Sequence, residues 1–210
     1  MSDYIVIKNV NKSFKGIRIL DDVSATFEKG SITGIVGRNG SGKTVLLKII
    51  CGLLKADSGE IIIAGKNISE QKGHPESIGA VIENPGFIPY KSAYSNLKYL
   101  ADIQKKIGKE EIISVIKQVG LDPYSKKHVG KYSLGMKQRL GIAQAIMENP
   151  ELVILDEPMN GLDSHGVTDV RNMILSLKKE GRTIIITSHH QEDIDILCDK
   201  VYEMDAGKTR

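Results

Sequence analysis

One stretch of eight residues, 37–44, constrains the fold of this chain more than any other feature. It reads Gly-Arg-Asn-Gly-Ser-Gly-Lys-Thr, the phosphate-loop pattern of a glycine, any four residues, Gly-Lys and then Ser or Thr. The glycines allow successive backbone N–H groups to converge on anionic oxygens. Lys43 adds a positive charge for the terminal phosphates, and the Thr44 hydroxyl suits Mg²⁺. The predicted nucleotide-binding residues of this stretch are Gly37, Arg38, Asn39, Gly40, Ser41, Gly42, Lys43, Thr44 and the following Val45.

The segments on either side of this loop support the same interpretation. Residues 31–36 predict a strand, and residues 45–50 predict a helix whose N-terminal dipole favours phosphate. A glycine turn without chemical consequence is the alternative. With glycine at about 7% of residues on average, a chance match to the whole pattern is expected in roughly 1% of chains of this size. The sequence therefore predicts a nucleoside triphosphate site that also holds Mg²⁺.

Composition excludes several classes of protein. The 210 residues, 40% hydrophobic and 26% charged, are typical of one soluble globular domain. The net charge of +3, without an arginine-rich tract, gives no reason to expect a nucleic-acid partner. No signal-peptide pattern opens the chain, and no apolar run approaches the ~18 residues of a membrane helix. We expect a cytoplasmic protein with no transmembrane segment of its own, in which Cys51 and Cys198 are buried reduced thiols.

The hydrophobic pattern changes character twice along the chain. Alternation over residues 4–10 and 19–27 predicts antiparallel strands, and residues 92–148 follow a mostly helical period. Residues 152–156 and 183–187 are near-continuous apolar runs, which suit parallel strands covered on both faces. The predicted fold class is α/β: a P-loop NTPase core with a mostly parallel sheet, an N-terminal antiparallel β subdomain and an inserted helical subdomain.

These patterns also predict the domain boundaries. We expect a single domain over residues 1–210, in which residues 1–85 and 150–210 form the nucleotide-binding core. The helical subdomain is expected over residues 86–149. An acidic group near the C-terminus, formed by Glu192, Asp193 and Asp195, is predicted to be a solvated helix face.

Two carboxylates follow the apolar run Leu-Val-Ile-Leu at residues 152–155. Asp156 is suited to hold the shell of a magnesium ion, and Glu157 to orient and deprotonate an attacking water. Acidic strand ends are common in proteins without catalytic meaning. Their position downstream of a phosphate loop favours the catalytic interpretation.

A second anion site is predicted where residues 132–139 open a helix. Ser133 is a natural N-cap, and Gly135 leaves backbone N–H groups exposed. The alternative is a capped helix without a ligand.

Taken in order, these motifs resemble the nucleotide-binding subunit of an ATP-binding cassette (ABC) transporter over essentially the whole chain. Residues 37–44 resemble the Walker A loop, residues 152–157 resemble Walker B with its adjacent glutamate, and residues 133–136 resemble the family signature. The resemblance implies ATP hydrolysis with Glu157 as the catalytic base. A small-molecule kinase and a binding module without turnover fit these motifs less well.

Three further residues take their expected roles from the resemblance. Asp163, in Asn-Gly-Leu-Asp, corresponds to the D-loop between subunits, and His189 corresponds to the catalytic switch histidine. Phe14 stands where the family places an aromatic ring against adenine. Phe14 as an ordinary core aromatic, and His190 in place of His189, are the alternatives.

The chain departs from the family pattern at two places. The signature, commonly Leu-Ser-Gly-Gly-Gln, reads Tyr-Ser-Leu-Gly-Met at residues 132–136, so only the positions expected to face phosphate are kept. The loop that enters the helical subdomain carries Glu83 where the family usually has glutamine. A carboxylate binds a hard cation better than an amide does, so the predicted metal ligands are Thr44, Glu83 and Asp156. An exposed loop residue is the alternative for Glu83.

The same departures resemble one subgroup of the family. Glu83 together with residues 133–143 is similar to the ATPases of lantibiotic self-immunity and bacitracin-type resistance exporters. The resemblance implies an ATPase that energises export of a lantibiotic or bacitracin-like peptide through a separate membrane permease. An ABC importer, or an exporter with other cargo, is the alternative.

The resemblance also implies partners and a location. Two copies are expected to dock head to tail, each ATP lying between residues 37–44 of one and residues 133–135 of the other. The loop of residues 83–91 is expected to contact the integral-membrane permease. The protein would then be peripheral on the inner face of the cell membrane.

Overall fold

The computed structural model describes residues 2–69, 75–83 and 85–209, which form two β-sheets and six α-helices. The strands are β1 (Asp3–Phe14), β2 (Ile17–Glu28), β3 (Ile32–Val36), β4 (Ser58–Ile63), β5 (Lys66–Asn67), β6 (Ile78–Val81), β7 (Leu152–Leu155), β8 (Thr183–Thr187), β9 (Lys200–Asp205) and β10 (Lys208–Thr209). The helices are α1 (Lys43–Ile50), α2 (Ala93–Gln104), α3 (Lys109–Gln118), α4 (Leu134–Ile146), α5 (Ser164–Lys179) and α6 (Gln191–Leu197), with a short 3₁₀ helix at Val129–Lys131.

The N-terminal strands form an antiparallel sheet in the order β2-β1-β4-β5. β1 and β2 are a long hairpin that turns at Lys15 and Gly16, both with positive φ. Alternate side chains of β1, such as Ile5 and Ile7, are buried, as the period of two predicted. The predicted antiparallel β subdomain is therefore confirmed.

The second sheet has the strand order β10-β9-β3-β8-β7-β6, and all neighbouring pairs from β9 to β6 are parallel. Because parallel strands share a direction, the carboxyl ends of β3, β8, β7 and β6 meet at one edge of this sheet. The crevice beyond the carboxyl ends of parallel strands is where α/β proteins bind ligands. The phosphate loop follows β3, and residues 188–190 with the two histidines follow β8. Asp156 and Glu157 follow β7, and the loop that carries Glu83 follows β6.

The central strands of this sheet are buried on both faces. Val153 and Leu155 pack into the cluster beneath the helices, whereas Leu152 and Ile154 pack into the cluster shared with α1 and the antiparallel sheet. β8 is buried at all its residues. This explains why these segments read as continuous apolar runs rather than alternating ones.

Helices α2, α3 and α4 occupy the chain between β6 and β7, where the helical period was predicted. Their first turns are capped by their own sequence. Ser92 accepts from Ser95 N–H at α2, and Glu111 accepts from Gly108 N–H at α3. The boundaries of a helical subdomain at residues 86–149 stay a prediction. In the described part of the chain, no helix has the length and apolarity needed to cross a membrane.

The expected solvated acidic face near the C-terminus is wrong for one of its members. Asp193 on α6 is 1% exposed, and its carboxylate accepts from the Arg171 guanidinium of α5 at 2.6 and 2.8 Å. Glu192 and Asp195 are exposed, as expected. A short acidic helix does not indicate which of its faces another helix covers with a basic side chain.

Candidate functional site

The phosphate loop leaves β3 and enters α1 at Lys43. Its shape depends on Gly37 and Gly42, whose φ values are 149° and 104°. A Cβ on Gly37 would lie 2.2 Å from the Met204 carbonyl oxygen. A side chain is therefore excluded sterically at Gly37, and the backbone conformation at both positions suits glycine alone.

Polar groups in this loop fit a phosphate. The Lys43 ammonium, on a nearly buried side chain, donates to the carbonyls of Gly37 at 2.7 Å and Arg38 at 3.1 Å. Gly42 caps α1 without a side chain, so the N–H groups of the first turn face outward. The Ser41 hydroxyl is buried and has no hydrogen-bond partner in the described part of the chain. A cationic side chain, free amides and an unpaired hydroxyl together form a cradle for anionic oxygens.

Thr44 and Asp156 are brought together across the sheet edge. The Thr44 hydroxyl donates to Asp156 Oδ2 at 3.1 Å, although the two residues are 112 positions apart. A hydroxyl and a carboxylate are the hard oxygen donors that Mg²⁺ prefers, and Mg²⁺ usually completes its shell with substrate phosphates and water. Among the residues described, no group of three or more His, Cys, Asp or Glu side chains is placed to hold a metal. The Thr44 hydroxyl and the Asp156 carboxylate fit a magnesium ion that shares its shell with the phosphates of a nucleotide.

Glu157 and His189 form a direct pair at the same edge. His189 Nδ1 lies 2.8 Å from Glu157 Oε2, while the His190 ring contacts the His189 ring at a tilt of 42°, with centroids 4.0 Å apart. The structure thus pairs His189, rather than its neighbour, with the predicted base. A cavity of about 450 Å³ opens beside His189, lined by residues 36–38, residues 188–191, Ile194 and residues 203–205.

A buried network supports the segment that carries His189. The Ser188 hydroxyl donates to Asp193 Oδ2 at 2.9 Å and accepts from the His190 N–H at 3.1 Å. Asp193 is in turn bound by Arg171, which also holds Glu192 and thereby lowers the pKa of the Glu192 carboxyl. Side chains on α5 and α6 therefore fix the backbone beside His189.

Glu83 lies on the loop after β6 and is held by a lysine. Its Oε1 lies 2.8 Å from Lys48 Nζ, and both side chains are partly exposed. Lys48 stands one helical turn beyond Thr44 on α1. Glu83 as a metal ligand stays a prediction, because in this structure its carboxylate pairs with Lys48.

The signature residues lie at the N-terminus of α4. Ser133 is the predicted N-cap, and its hydroxyl accepts from Met136 N–H at 3.2 Å. Leu134 covers Gly161 of the D-loop, where an added Cβ would lie 2.1 Å from the leucine Cδ2. Within the described residues, no hydrogen bond or ion pair joins Ser133 or Gly135 to the phosphate loop. A role for them in nucleotide binding stays a prediction.

Asp163 and Phe14 are placed as follows. Asp163 caps α5, and its Oδ1 accepts from Gly166 N–H at 2.7 Å. Phe14 is 44% exposed at the end of β1, with Lys12 Nζ 5.3 Å from its ring centroid. The core alternative for Phe14 is therefore wrong, and stacking against adenine stays a prediction.

The family model for ABC transporters matches residues 20–160, which is more than half of the chain. The chain belongs to the ABC transporter family. As a member it is an ABC ATPase, the ATP-hydrolysing subunit of a transporter. Its solved structural neighbours, described below, confirm the predicted α/β fold class.

Curated relatives cover nearly all of this ABC ATPase. It is 47% identical over 204 residues to the uncharacterized ABC transporter ATP-binding protein YybJ of Bacillus subtilis, covering 97% of this chain and 94% of the relative. Identity is 42% to the bacitracin transport ATP-binding protein BcrA of Bacillus licheniformis, covering 99% and 69%. It is 39% to the lantibiotic transport ATP-binding protein SrtF of Streptococcus pyogenes, covering 96% and 87%.

Solved structures of one bacterial ABC transporter cassette, MJ0796, superpose closely on this ABC ATPase. A dimeric structure gives a TM-score of 0.90 at 26% identity, covering 98% of this chain and 96% of that one. A dimeric post-hydrolysis state bound to ADP and Pi gives a TM-score of 0.91 at 23% identity, with the same coverage.

Two residues in contact with the predicted carboxylates of this ABC ATPase were absent from the sequence prediction. Thr187, the last residue of β8, bonds both Asp156 and the backbone of Glu157. Gln138 Nε2 donates to the Glu157 carbonyl at 3.4 Å. The position of Thr187, two residues before His189 at the end of a buried strand, is the signal that indicates it.

Proposed function

We propose that this ABC ATPase hydrolyses ATP at the edge formed by β3, β7 and β8, with Glu157 as base and His189 as the switch residue. The observation that carries this proposal is the 2.8 Å contact between His189 Nδ1 and Glu157 Oε2, beside the Thr44–Asp156 contact. A carboxylate held by a histidine at a phosphate loop is suited to orient a water and accept its proton.

The chain's own residues divide the work among them. Lys43 and the amides of α1 bind the phosphates, and Glu157 accepts a proton from the attacking water. In the imidazolium form both ring nitrogens of His189 donate, one to the Glu157 carboxylate and the other to a phosphate oxygen. Mg²⁺, when bound by Thr44 and Asp156, supplies positive charge that polarises the phosphate oxygens.

The second half of each site is proposed to come from another copy. Ser133 and the exposed first turn of α4 form the predicted anion site at a helix N-terminus. A triphosphate bound to the phosphate loop of the other copy would face this turn and complete the site. The dimers of MJ0796 support this arrangement, because that cassette shares the fold and 26% of its residues with this chain. We therefore propose a head-to-tail homodimer with two ATP sites.

A surface cleft supports the proposed permease partner. A cleft of about 870 Å³ runs between the end of α1, β6 and helices α2 and α4. Leu53 and Ile103 on its walls are 58% and 67% exposed. β6 leads directly into Glu83 and the loop of residues 83–91, of which Asn84 lies outside the described residues. A permease segment in this cleft would therefore lie close to the loop of residues 83–91, which is expected to contact the permease. The same contact would hold the ATPase on the inner face of the membrane.

The proposed cargo is a membrane-active peptide antibiotic that is exported. The similarity to BcrA and SrtF supports this, since these relatives are a bacitracin and a lantibiotic transport protein. An importer, or an exporter with other cargo, is the competing function, because the 47% identical relative is uncharacterized.

Replacing Glu157 tests the catalytic proposal. We expect Glu157→Gln to bind ATP, to lose at least about 100-fold in turnover and to accumulate as a dimer with ATP, because an amide accepts no proton at neutral pH. Glu151→Gln, at the opposite end of β7, is the matched control and should turn over normally. A Glu157→Gln protein as active as the control would contradict Glu157 as the base.

Susceptibility tests address the cargo. A strain lacking this ATPase should become more sensitive to bacitracin or to a lantibiotic, and the wild-type gene, but not Glu157→Gln, should restore resistance. Unchanged sensitivity to both peptide classes, in a strain whose ATPase is active, would favour the competing functions.

A further inference from the structure

We infer that Thr187 is a positioning residue for ATP hydrolysis, whose hydroxyl fixes the two carboxylates relative to each other. The inference rests on the proposed roles of Asp156 and Glu157. It assigns a function to a buried residue that lies outside the sequence motifs discussed above.

The sheet register places Thr187 beside the Asp156 carboxylate and the backbone of Glu157. Leu155 of β7 pairs with Ile186 of β8, so the next residues along, Asp156 and Thr187, stand opposite each other. The Thr187 hydroxyl donates to Asp156 Oδ1 at 2.6 Å and accepts from the Glu157 N–H at 2.8 Å. A hydroxyl has one proton to donate, and Thr187 donates it to Asp156. A lone pair on the same oxygen accepts the N–H of Glu157.

The bond to Asp156 determines which carboxylate oxygen faces the phosphate loop. Thr187 occupies Oδ1, which leaves Oδ2 directed at the Thr44 hydroxyl. Asp156 is 8% exposed, so without Thr187 its Oδ1 would lose a partner in a place that water reaches poorly. Rotation of the carboxylate towards another donor would move Oδ2 away from Thr44.

The bond to the backbone supports an uncommon conformation at Glu157. The φ of Glu157 is 50°, a left-handed conformation that is unfavourable for a residue with a Cβ. Thr187 holds its N–H, and Gln138 approaches its carbonyl at 3.4 Å. Because the turn at Glu157 directs its side chain towards His189, loss of the Thr187 bond is expected to misplace the base.

The same strand provides a matched control. Thr183, at the other end of β8, is 1% exposed, and its hydroxyl accepts from Gly30 N–H at 3.0 Å. Thr183 contacts no predicted site residue through this bond. Removing either hydroxyl takes a buried hydrogen-bonding group from β8, but of the two only Thr187 contacts the Asp156 carboxylate and the Glu157 backbone.

The experiment compares Thr187→Val, Thr187→Ser and Thr183→Val in the full chain. Valine keeps the β-branched shape and removes the hydroxyl, whereas serine keeps the hydroxyl. We expect Thr187→Val to lower kcat about 10- to 100-fold with the KM for ATP within about twofold, as misplaced catalytic groups do. Thr187→Ser should stay within about threefold of wild type, and Thr183→Val should keep its kcat.

Two outcomes with the Thr187 variants would overturn the inference. One is a folded Thr187→Val protein with the kcat of Thr183→Val, and the other is a Thr187→Ser protein as slow as Thr187→Val. If Thr187→Val does not fold, Thr187→Ala is compared with Thr183→Ala on the same measurements, with the same two outcomes deciding.

Glu157→Gln is assayed alongside. If it turns over normally, the proposed catalytic roles fail and this inference fails with them, whereas an inactive Glu157→Gln beside a normal Thr187→Val refutes this inference alone.

Discussion

Two regions hold most of the predicted site residues, and they differ in what their side chains contact. The first is the strand edge, where the carboxyl ends of β3, β6, β7 and β8 meet, and the second is formed by the N-termini of α4 and α5. At the strand edge, side chains from distant segments bond one another, as Thr44 does with Asp156 and His189 with Glu157. At the N-termini of α4 and α5, Ser133 and Asp163 cap their own helices over three residues of sequence. The first region is assembled within one chain, and the second is supported only locally.

The difference indicates which steps one chain performs alone. The phosphate loop has a buried lysine and leads into a helix without a side-chain cap, so we expect it to bind phosphate without a partner. The first turn of α4 offers its N–H groups outward and becomes part of a site only when another molecule brings the phosphate. We therefore expect ATP binding to belong to the single chain and hydrolysis to require two.

The largest expected effects come from one variant in each region. Lys43→Met should weaken ATP binding by the isolated chain about 10- to 100-fold, because it removes a charge-assisted contact to phosphate. Ser133→Asp should leave that affinity unchanged and lower turnover at least about 10-fold. Aspartate caps a helix as well as serine does, but it places a negative charge where the second copy's phosphate is expected. Titration calorimetry and phosphate release measure the two properties.

A control variant and a coexpression experiment test whether the phosphate loop and the α4 N-terminus act in different steps. Ser92→Asp makes the same cap change at α2 and should be silent in both assays. Coexpressed Lys43→Met and Ser133→Asp chains should recover activity, since a mixed dimer keeps one loop and one signature intact. Random pairing of independent sites predicts about a quarter of wild-type turnover. No recovery, or weakened ATP binding by Ser133→Asp alone, would contradict the division of labour.

A smaller effect is expected from the support behind His189. Asp193→Asn keeps the shape of the side chain but removes the charge that meets Arg171, and both side chains are largely buried. We expect a loss of about 2 kcal/mol in the free energy of unfolding, measured with urea. Asp195→Asn, exposed on the same helix, should change it by less than about 0.5 kcal/mol. Equal effects of the two variants would show that the strand edge is not braced by this ion pair.

The strand edge was largely predictable because its signals are local. The phosphate loop is a contiguous pattern, and Asp156 and Glu157 directly follow an apolar run. Once these runs are recognised as parallel strands, their carboxyl ends must meet, which brings Thr44 and Asp156 together. Local patterning therefore predicted the α/β fold and the two carboxylates that follow β7.

Contacts between segments distant in sequence were not predictable in the same way. Asp193 was expected in solvent because its helix is acidic, and the burial comes from Arg171 on another helix. Thr187 carries no motif, and its function depends on the register between β7 and β8. Pairing of this kind is set by how elements pack, which a single sequence does not specify by its period or its caps.

The smallest expected effect concerns Glu83, which joins the strand-edge region only if it leaves Lys48. This ion pair is partly exposed, so Lys48→Met should change the free energy of unfolding by less than about 1 kcal/mol. If Glu83 is a metal ligand, freeing its carboxylate should lower the Mg²⁺ concentration for half-maximal ATP hydrolysis about 1.5- to 5-fold. Glu83→Gln should raise that concentration, and in Glu83→Gln the Lys48→Met change should have no effect on it. A Mg²⁺ dependence unchanged in all three variants would place Glu83 outside the site and leave the strand edge with Thr44 and Asp156 as its metal ligands.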